Sequence, residues 1–239
     1  MKIGIAGGGA FGTALGVALA LDGHDIQLWA RNAEAADDMQ NTRANPKLPG
    51  LHLPSSMTIS GALEPLWSCD TILLAIPAQT IPQFLEQHRK KLAGKYLVAC
   101  CKGIDLKRMT GPASTIADLV PDAIPAMLTG PSFAADIARG LPTALTLACA
   151  DDAHGEILQT ALSTISIRLY RTTDTVGAEL GGALKNVMAI ASGVAIGAKL
   201  GESARAALIT RGYREMQRFA HSRGAQPDTL AGLSGFCDL

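Results

Sequence analysis

The sequence has no net charge and few aromatic residues. Its 21 Lys and Arg residues balance 21 Asp and Glu residues, and aromatic residues make up 4% of the 239 residues. A chain without a basic excess lacks a general attraction to nucleic acids and anionic lipids, so any phosphate group must be recognised by a local site. These absences favour a small-molecule partner, and neither nucleic acid nor an integral membrane location is expected.

Common catalytic and metal-binding signatures are also missing. The five cysteines are an odd number without framework spacing, and the patterns C-x-x-C, H-E-x-x-H, G-x-S-x-G and the P-loop are absent, so no metal site is expected. No apolar run is long enough to span a bilayer, and the first residues lead into a strand-like run rather than a signal peptide. A reduced, cytoplasmic setting is therefore expected.

Short apolar runs alternate with helical patterns through most of the chain, which is typical of βαβ units. The predicted strands are residues 2–6, 26–30, 71–76, 96–100, 124–128, 143–148 and 167–170, and the predicted helices are 11–21, 33–41, 80–92, 114–119, 133–139 and 153–162. Residues 45–56 are predicted to form a loop. Several strands are apolar on successive residues, which indicates a mostly parallel sheet covered on both faces.

A glycine-rich turn follows the first predicted strand. Residues 7–12 fit the pattern G-x-G-x-x-G at the start of a helix. The first glycine permits the tight turn, the second lets the backbone approach a pyrophosphate, and the third lets the helix pack closely on the strand. Unpaired N–H groups at the helix start face the anion. We expect Gly7, Gly9 and Gly12 to bind a dinucleotide; the alternative is a glycine-rich turn without a ligand.

The fold class predicted from these patterns is α/β. Residues 1–172 are expected to form a Rossmann-like NAD(P)-binding domain with a doubly wound, mostly parallel sheet. Strand patterns end near residue 172, and helices are predicted at 177–198 and 202–223. Residues 173–239 are therefore expected to form the first part of an all-α domain.

The second predicted strand ends without the acidic residue that binds the ribose 2′-hydroxyl in NAD-preferring sites. The sequence there reads Trp29-Ala30-Arg31-Asn32. Arg31 is suited to pairing with a 2′-phosphate or stacking on adenine, which predicts that NADPH is preferred and that NADH is also accepted. The alternative is a surface arginine.

Two later strands end in polar residues, at the edge where parallel sheets bind ligands. Lys102 follows the strand at 96–100 and is suited to meeting a phosphate or carbonyl oxygen, although it is also consistent with a surface lysine. Ser132 follows the strand at 124–128 and is expected to cap the next helix, where free N–H groups can also bind an anionic substrate.

Lys185 is the one charged side chain between residues 180 and 198. A buried ammonium group is costly unless it is paired or deprotonated, and a lysine in such a position can act as general acid and base for a carbinol proton. The alternative is a lysine whose charged end reaches solvent. Its position in the first helix after a dinucleotide domain favours the catalytic role.

Together these residues resemble the NAD(P)-dependent glycerol-3-phosphate dehydrogenases of the bacterial type. The matching motifs lie at 7–15, 101–104 (Cys-Lys-Gly-Ile), 128–134 (Leu-Thr-Gly-Pro-Ser-Phe-Ala), 181–186 (Gly-Gly-Ala-Leu-Lys-Asn), 204–212 and 232–239. The resemblance implies Lys185 as proton donor and acceptor and Lys102 as a contact to cofactor and substrate. It further implies substrate roles for Gly130, Ser132, Asn186 and Asp238, and cofactor contacts at Ala10, Phe11, Arg31 and Ala134.

The reaction implied is the reversible reduction of dihydroxyacetone phosphate to sn-glycerol 3-phosphate for phospholipid synthesis, by an expected homodimer. Family members continue beyond the motif at 232–239 into further helices with a phosphate-binding Arg-Asn pair, so the helical domain is expected to be incomplete here. The alternatives are an NADPH-binding but inactive fragment, or a related ketopantoate reductase or β-hydroxyacid-type dehydrogenase. The isolated chain is also expected to associate more than its balanced charge suggests.

Overall fold

The computed structural model describes residues 2–235. Within them, eight strands form one sheet: β1 (Ile3–Ala6), β2 (Ile26–Trp29), β3 (Met57–Ser60), β4 (Thr71–Leu74), β5 (Tyr96–Ala99), β6 (Ile124–Thr129), β7 (Thr143–Ala148) and β8 (Ile167–Thr172). Their order is β3-β2-β1-β4-β5-β6-β7-β8, and every neighbouring pair is parallel except β6 with β7. The prediction of a mostly parallel sheet is confirmed.

Helices cover both faces of this sheet. Those that connect the strands are α1 (Ala10–Leu21), α2 (Ala33–Thr42), α3 (Ile81–Leu92), α4 (Pro112–Leu119), α5 (Ala134–Ala138) and α6 (Asp152–Leu162). Two short 3₁₀ helices, Glu64–Ser68 and Ala78–Thr80, flank β4. The central strands β1 and β4 are buried along their whole length, as their continuous apolar sequences require.

Local sequence signals explain where several helices begin. Asn32 accepts a hydrogen bond from the backbone N–H of Ala35 at the start of α2, and Asp151 accepts one from His154 at the start of α6. These side chains satisfy N–H groups that have no partner inside the first helical turn.

A helical region follows β8. It consists of α7 (Thr175–Gly197), α8 (Glu202–His221) and α9 (Pro227–Ala231), and α7 packs against β6, β7 and α4 as well as against α8 and α9. Its own small core contains Met216, Ala220, Ala225 and Leu230. The prediction that the chain is helical after residue 172 is confirmed for the described residues.

Among the described strands and α-helices, two short ones are not predicted from the sequence. The strand β3 has four residues at the edge of the sheet, directly after a proline-rich loop, and four alternating residues are too short a pattern to identify. The helix α9 has five residues and follows Gln226. The polypeptide order along the sheet reverses between β1 and β4, so the ligand cleft of such a fold lies outside their carboxyl ends.

Candidate active site

The turn between β1 and α1 has the geometry that its glycines suggest. Gly7 adopts a φ of 131°, which favours glycine. A Cβ on Gly12 would lie 2.2 Å from the carbonyl oxygen of Gly7 and 2.9 Å from Ala75 Cβ, whereas a Cβ on Gly9 would meet no atom within 4 Å. Gly12 therefore lets α1 approach the sheet, and Gly9 faces open space at the start of α1.

A buried asparagine supports this turn from the loop after α2. Asn45 Nδ2 donates to Thr13 Oγ1 over 2.8 Å and to the carbonyl oxygen of Gly8 over 3.4 Å. Asn45 is 3% exposed, and Thr13 lies in the first turn of α1. The loop is thus held against the glycine turn by side-chain hydrogen bonds that no local sequence pattern indicates.

A large cleft extends from the glycine turn along the carboxyl ends of the parallel strands. Its volume is about 1130 Å³. The predicted site residues that line it are Gly7, Gly9, Phe11, Arg31, Lys102 and Ser132. Ala10 and Ala134 instead pack against the core beside the cleft, and Gly12 lies between helix and strand. The structure therefore brings residues from four different strand ends into one cavity.

The cleft lining also includes charged and aromatic side chains. Arg31 and Lys47 line it together with Asp38. Phe84 and His88 line the cleft as well, and their rings lie 5.0 Å apart. Burial lowers the pKa of the His88 imidazole, which favours its neutral form. These residues thus add two cations, one acid and a pair of neighbouring rings to the cleft lining.

Lys102 lines the same cleft. Its Nζ donates to the carbonyl oxygen of Gly130 over 3.1 Å, which links the loop after β5 to the loop after β6. Ser132 Oγ donates to the same carbonyl oxygen over 3.2 Å. The prediction that Ser132 caps the next helix is wrong: α5 begins after Phe133, without a side-chain cap, because the Ser132 hydroxyl is engaged by its own turn.

The first turns of α7 dock beside Lys102. A Cβ on Gly182 would lie 3.1 Å from Thr129 Oγ1 and 3.6 Å from Lys102 Cγ, so the missing side chain lets α7 approach the ends of β5 and β6. Lys185 lies on the same face one turn later and is 8% exposed. Asn186, the next residue, is exposed. The two predicted substrate lysines thus come from adjoining elements of one site.

A buried carboxylate fixes α7 to α4. Glu179 accepts hydrogen bonds from the backbone N–H of Ala113 over 2.6 Å, from that of Ser114 over 2.9 Å, and from Ser114 Oγ over 2.8 Å. It is 4% exposed, and burial raises the pKa of its carboxyl. Glu179 therefore caps a helix that is distant in sequence, which is why the sequence did not reveal its role.

The paired cysteines at the end of β5 are unsuited to nucleophilic chemistry. Burial raises the pKa of the Cys101 thiol to about 12, with a further contribution from the negative charge of Glu179. Burial also raises the pKa of Cys100 far above its ordinary value. Because the thiolate is the reactive form, neither side chain is a nucleophile near neutral pH.

Two family models match the chain. The NAD-dependent glycerol-3-phosphate dehydrogenase N-terminus matches residues 2–155, and the corresponding C-terminus matches residues 174–239. A glycerol-3-phosphate dehydrogenase [NAD(P)+] of Ruegeria sp. (strain TM1040) is 58% identical over 240 residues, which cover all of this chain and 75% of the relative. The chain belongs to the NAD-dependent glycerol-3-phosphate dehydrogenase family. A second family member, from Roseobacter denitrificans, is 56% identical over 242 residues, with 100% of this chain and 75% of the relative covered.

Solved structures of the family have the same fold. The glycerol-3-phosphate dehydrogenase of Coxiella burnetii superposes with a TM-score of 0.93 at 33% identity, covering 100% of this chain and 74% of that chain. A ketopantoate reductase from Ralstonia eutropha superposes with a TM-score of 0.69 at 17% identity, covering 95% of this chain and 76% of that chain, which shows a shared fold alone. The family assignment thus agrees with the arrangement of the cleft and α7.

One predicted site residue lies outside the part of the chain that the structure describes. Asp238 falls outside residues 2–235. Within those residues, no group of three or more His, Cys, Asp or Glu side chains is arranged to hold a metal ion. In the same part of the chain, α7 alone has the length and hydropathy of a membrane span, but it buries Glu179 and Lys185 against the rest of the fold.

Proposed function

We propose that the chain catalyses the reversible reduction of dihydroxyacetone phosphate to sn-glycerol 3-phosphate with NADPH. One observation carries this proposal: a cleft of about 1130 Å³ joins the glycine turn to Lys102, and the helix that carries Lys185 docks at that same end. Membership of the family, with relatives named glycerol-3-phosphate dehydrogenase [NAD(P)+], supplies the substrate and the reaction.

The cleft fits a dinucleotide. Open space above Gly9 leaves room for a pyrophosphate at the N-terminus of α1, where backbone N–H groups favour an anion. Arg31 and Lys47 would hold a 2′-phosphate, and they outnumber the single acid, Asp38, in the cleft lining. These features support NADPH as the preferred cofactor and leave NADH possible.

Lys185 and Lys102 perform the acid–base and electrostatic work in this proposal. The bound nicotinamide supplies or accepts the hydride. Lys185 Nζ donates a proton to the developing C2 alkoxide during reduction and removes it during oxidation. Lys102 places positive charge near that oxygen or the phosphate, and Gly130, Ser132, Asn186 and Asp238 are assigned to holding the substrate. Because Lys185 is buried, water is largely excluded from the proton transfer.

A substrate panel tests the proposal. We expect the purified chain to oxidise NADPH with dihydroxyacetone phosphate and not with dihydroxyacetone or ketopantoate, because Lys102 and the strand ends provide an anion site for a phosphate. Turnover of ketopantoate would favour that reductase activity instead. Calorimetric binding of NADPH without any turnover would indicate a cofactor-binding chain that lacks the activity. We expect the reaction to serve glycerophospholipid synthesis in the cytoplasm. We also expect the chain to form a homodimer.

A further inference from the structure

Among the residues that the structure describes, the hydroxyl group of Thr129 is buried and has no hydrogen-bond partner. Thr129 ends β6 and is 2% exposed, and within residues 2–235 its Oγ1 contacts no donor or acceptor at hydrogen-bond distance. Buried side-chain oxygens nearly always have a partner, because leaving one unpaired costs free energy that an apolar residue of the same shape would avoid. A valine would fit the strand equally well, so the hydroxyl requires an explanation.

A second buried atom without a partner, Arg205 Nε, differs in kind. The guanidinium of Arg205 still forms an ion pair with Glu202 over 3.0 Å through another nitrogen. The hydroxyl is the only polar atom in the side chain of Thr129, and its strand ends at the candidate active site. Within residues 2–235, Thr129 is therefore the one residue whose only polar side-chain atom is buried without a hydrogen-bond partner.

The surroundings of this hydroxyl point to Lys185. Thr129 Oγ1 lies 3.1 Å from the position that a Cβ on Gly182 would take, so no side chain of α7 separates the hydroxyl from the helix surface. Lys185 follows Gly182 by three residues, and helical side chains lean toward the helix N-terminus, which carries Lys185 back over the turn that contains Gly182. The stem of Lys102 passes the same position.

We propose that Thr129 is a positioning residue for Lys185, an inference that rests on the proposed function. In the complex with cofactor and substrate, its hydroxyl accepts a hydrogen bond from the Lys185 ammonium group. After Lys185 has donated its proton to the alkoxide, the same hydroxyl donates to the lone pair of the neutral amine. A hydroxyl is both donor and acceptor, so it can accept from the ammonium group and donate to the lone pair of the neutral amine, whereas a carboxylate or a backbone carbonyl can only accept.

Three variants test this role. Thr129→Val keeps the shape and removes the hydroxyl, and Thr129→Ser keeps the hydroxyl. Thr146→Val removes a buried hydroxyl from the residue directly opposite Thr129 on β7 and serves as the matched control. We expect Thr129→Val to lower kcat roughly tenfold or more, because Lys185 loses its positioning contact. We expect Tm to stay equal or rise, because the valine removes a buried hydroxyl that has no partner among residues 2–235. Thr129→Ser should keep kcat within about threefold of the wild type. In both Thr129 variants the KM for dihydroxyacetone phosphate should change less than about threefold. Thr146→Val should leave kcat unchanged.

Opposite results would overturn the inference. A kcat of Thr129→Val equal to that of the wild type, or equal losses in the valine and serine variants with a lower Tm, would show a packing role only. Wild-type activity is measured first, because its absence counts against the proposed function and not against Thr129.

If the wild type is inactive, a second measurement decides the role of Thr129. The Lys185 Cε resonance of protein labelled with ¹³C-lysine is recorded with NADPH and sn-glycerol 3-phosphate. A shift in Thr129→Val that Thr129→Ser does not share supports the inference, and identical resonances in the wild type and both variants contradict it.

Discussion

Arg31 is the side chain whose removal tests cofactor preference most simply. It lines the cleft at the end of β2, where a 2′-phosphate would lie. We expect Arg31→Ala to lower the ratio of NADPH to NADH affinity roughly tenfold or more, since a charge-assisted hydrogen bond contributes about 1.5 kcal/mol or more. Arg218→Ala, which removes an exposed arginine of α8, is the matched control. Dissociation constants from fluorescence titration that keep their wild-type ratio in Arg31→Ala would refute this role.

Single residues differed in how far the sequence revealed them. The geometry of the turn at Gly7 and Gly12 was predictable because it depends on one local glycine pattern, and the burial of Lys185 was predictable because it is a lone charge in an apolar helix. The roles of these residues in binding and catalysis stay predictions. Asn45 and Glu179 were missed, since their hydrogen bonds reach residues about 30 and 65 positions away. Ser132 was assigned a local cap, but its hydroxyl bonds within its own turn.

At the scale of elements, the turn between β1 and α1 offers a pair of substitutions with opposite consequences. Gly9 has a φ of −77°, which alanine adopts readily, and a Cβ there meets nothing. We expect Gly9→Ala to change the free energy of unfolding by less than about 1 kcal/mol but to weaken NADPH binding, because the methyl group enters the space for the pyrophosphate.

For Gly12→Ala we expect the main effect to be on stability rather than on NADPH binding. Its Cβ would collide with the backbone oxygen of Gly7, so we expect a loss of about 1–3 kcal/mol of stability. Urea denaturation and NADPH titration of both variants check the pair. Normal NADPH affinity in Gly9→Ala would contradict the placement of the pyrophosphate.

The contact between α7 and α4 should make stability depend on pH. Burial raises the pKa of Glu179, so between its ordinary carboxyl value and the raised one the folded protein holds a proton that the unfolded chain has lost. The contribution of this group to stability is full below the ordinary value and is lost as pH rises through the raised pKa. We expect Glu179→Gln to remove this dependence.

The measurement is urea denaturation of the wild type and Glu179→Gln from about pH 4 upward, across the carboxyl range. The free energy of unfolding of the glutamine variant should rise relative to that of the wild type as pH increases. A constant difference between the two would contradict the account. Ser114→Ala, which removes one of the hydrogen bonds and leaves the carboxyl in place, is the control and should retain the pH dependence.

Elements were predictable from the sequence where apolar residues followed one another without interruption or recurred along one helix face. The strand β4 contains three apolar residues in succession, and α3 buries one apolar face. β3 and α9 contain four and five residues, and they are stabilised by the neighbours that they pack against rather than by their own pattern.

At the scale of the whole molecule, the long helix α7 leaves one apolar face uncovered. Val187, Ile190 and Val194 are 55%, 69% and 63% exposed, and their spacing places them along one stripe. Exposed apolar stripes of this kind favour association between copies. We expect the 239-residue chain to form dimers or larger species at micromolar concentration in light scattering.

Substitution of this stripe supplies the control. Ile190→Lys should shift the chain toward a monomer without changing NADPH affinity, whereas Ile165→Lys, at an exposed residue outside the stripe, should not. A monodisperse wild-type monomer would contradict the prediction.

The central claim is that Lys185 transfers the proton in a reaction specific for dihydroxyacetone phosphate. The most direct test compares NADPH oxidation by the wild type, by Lys185→Met, and by Lys107→Met, which removes an exposed lysine from the loop after Lys102. We predict that Lys185→Met lowers kcat by about 10² to 10⁴ while the Kd of NADPH is retained, and that Lys107→Met matches the wild type. Full turnover in Lys185→Met would contradict the account.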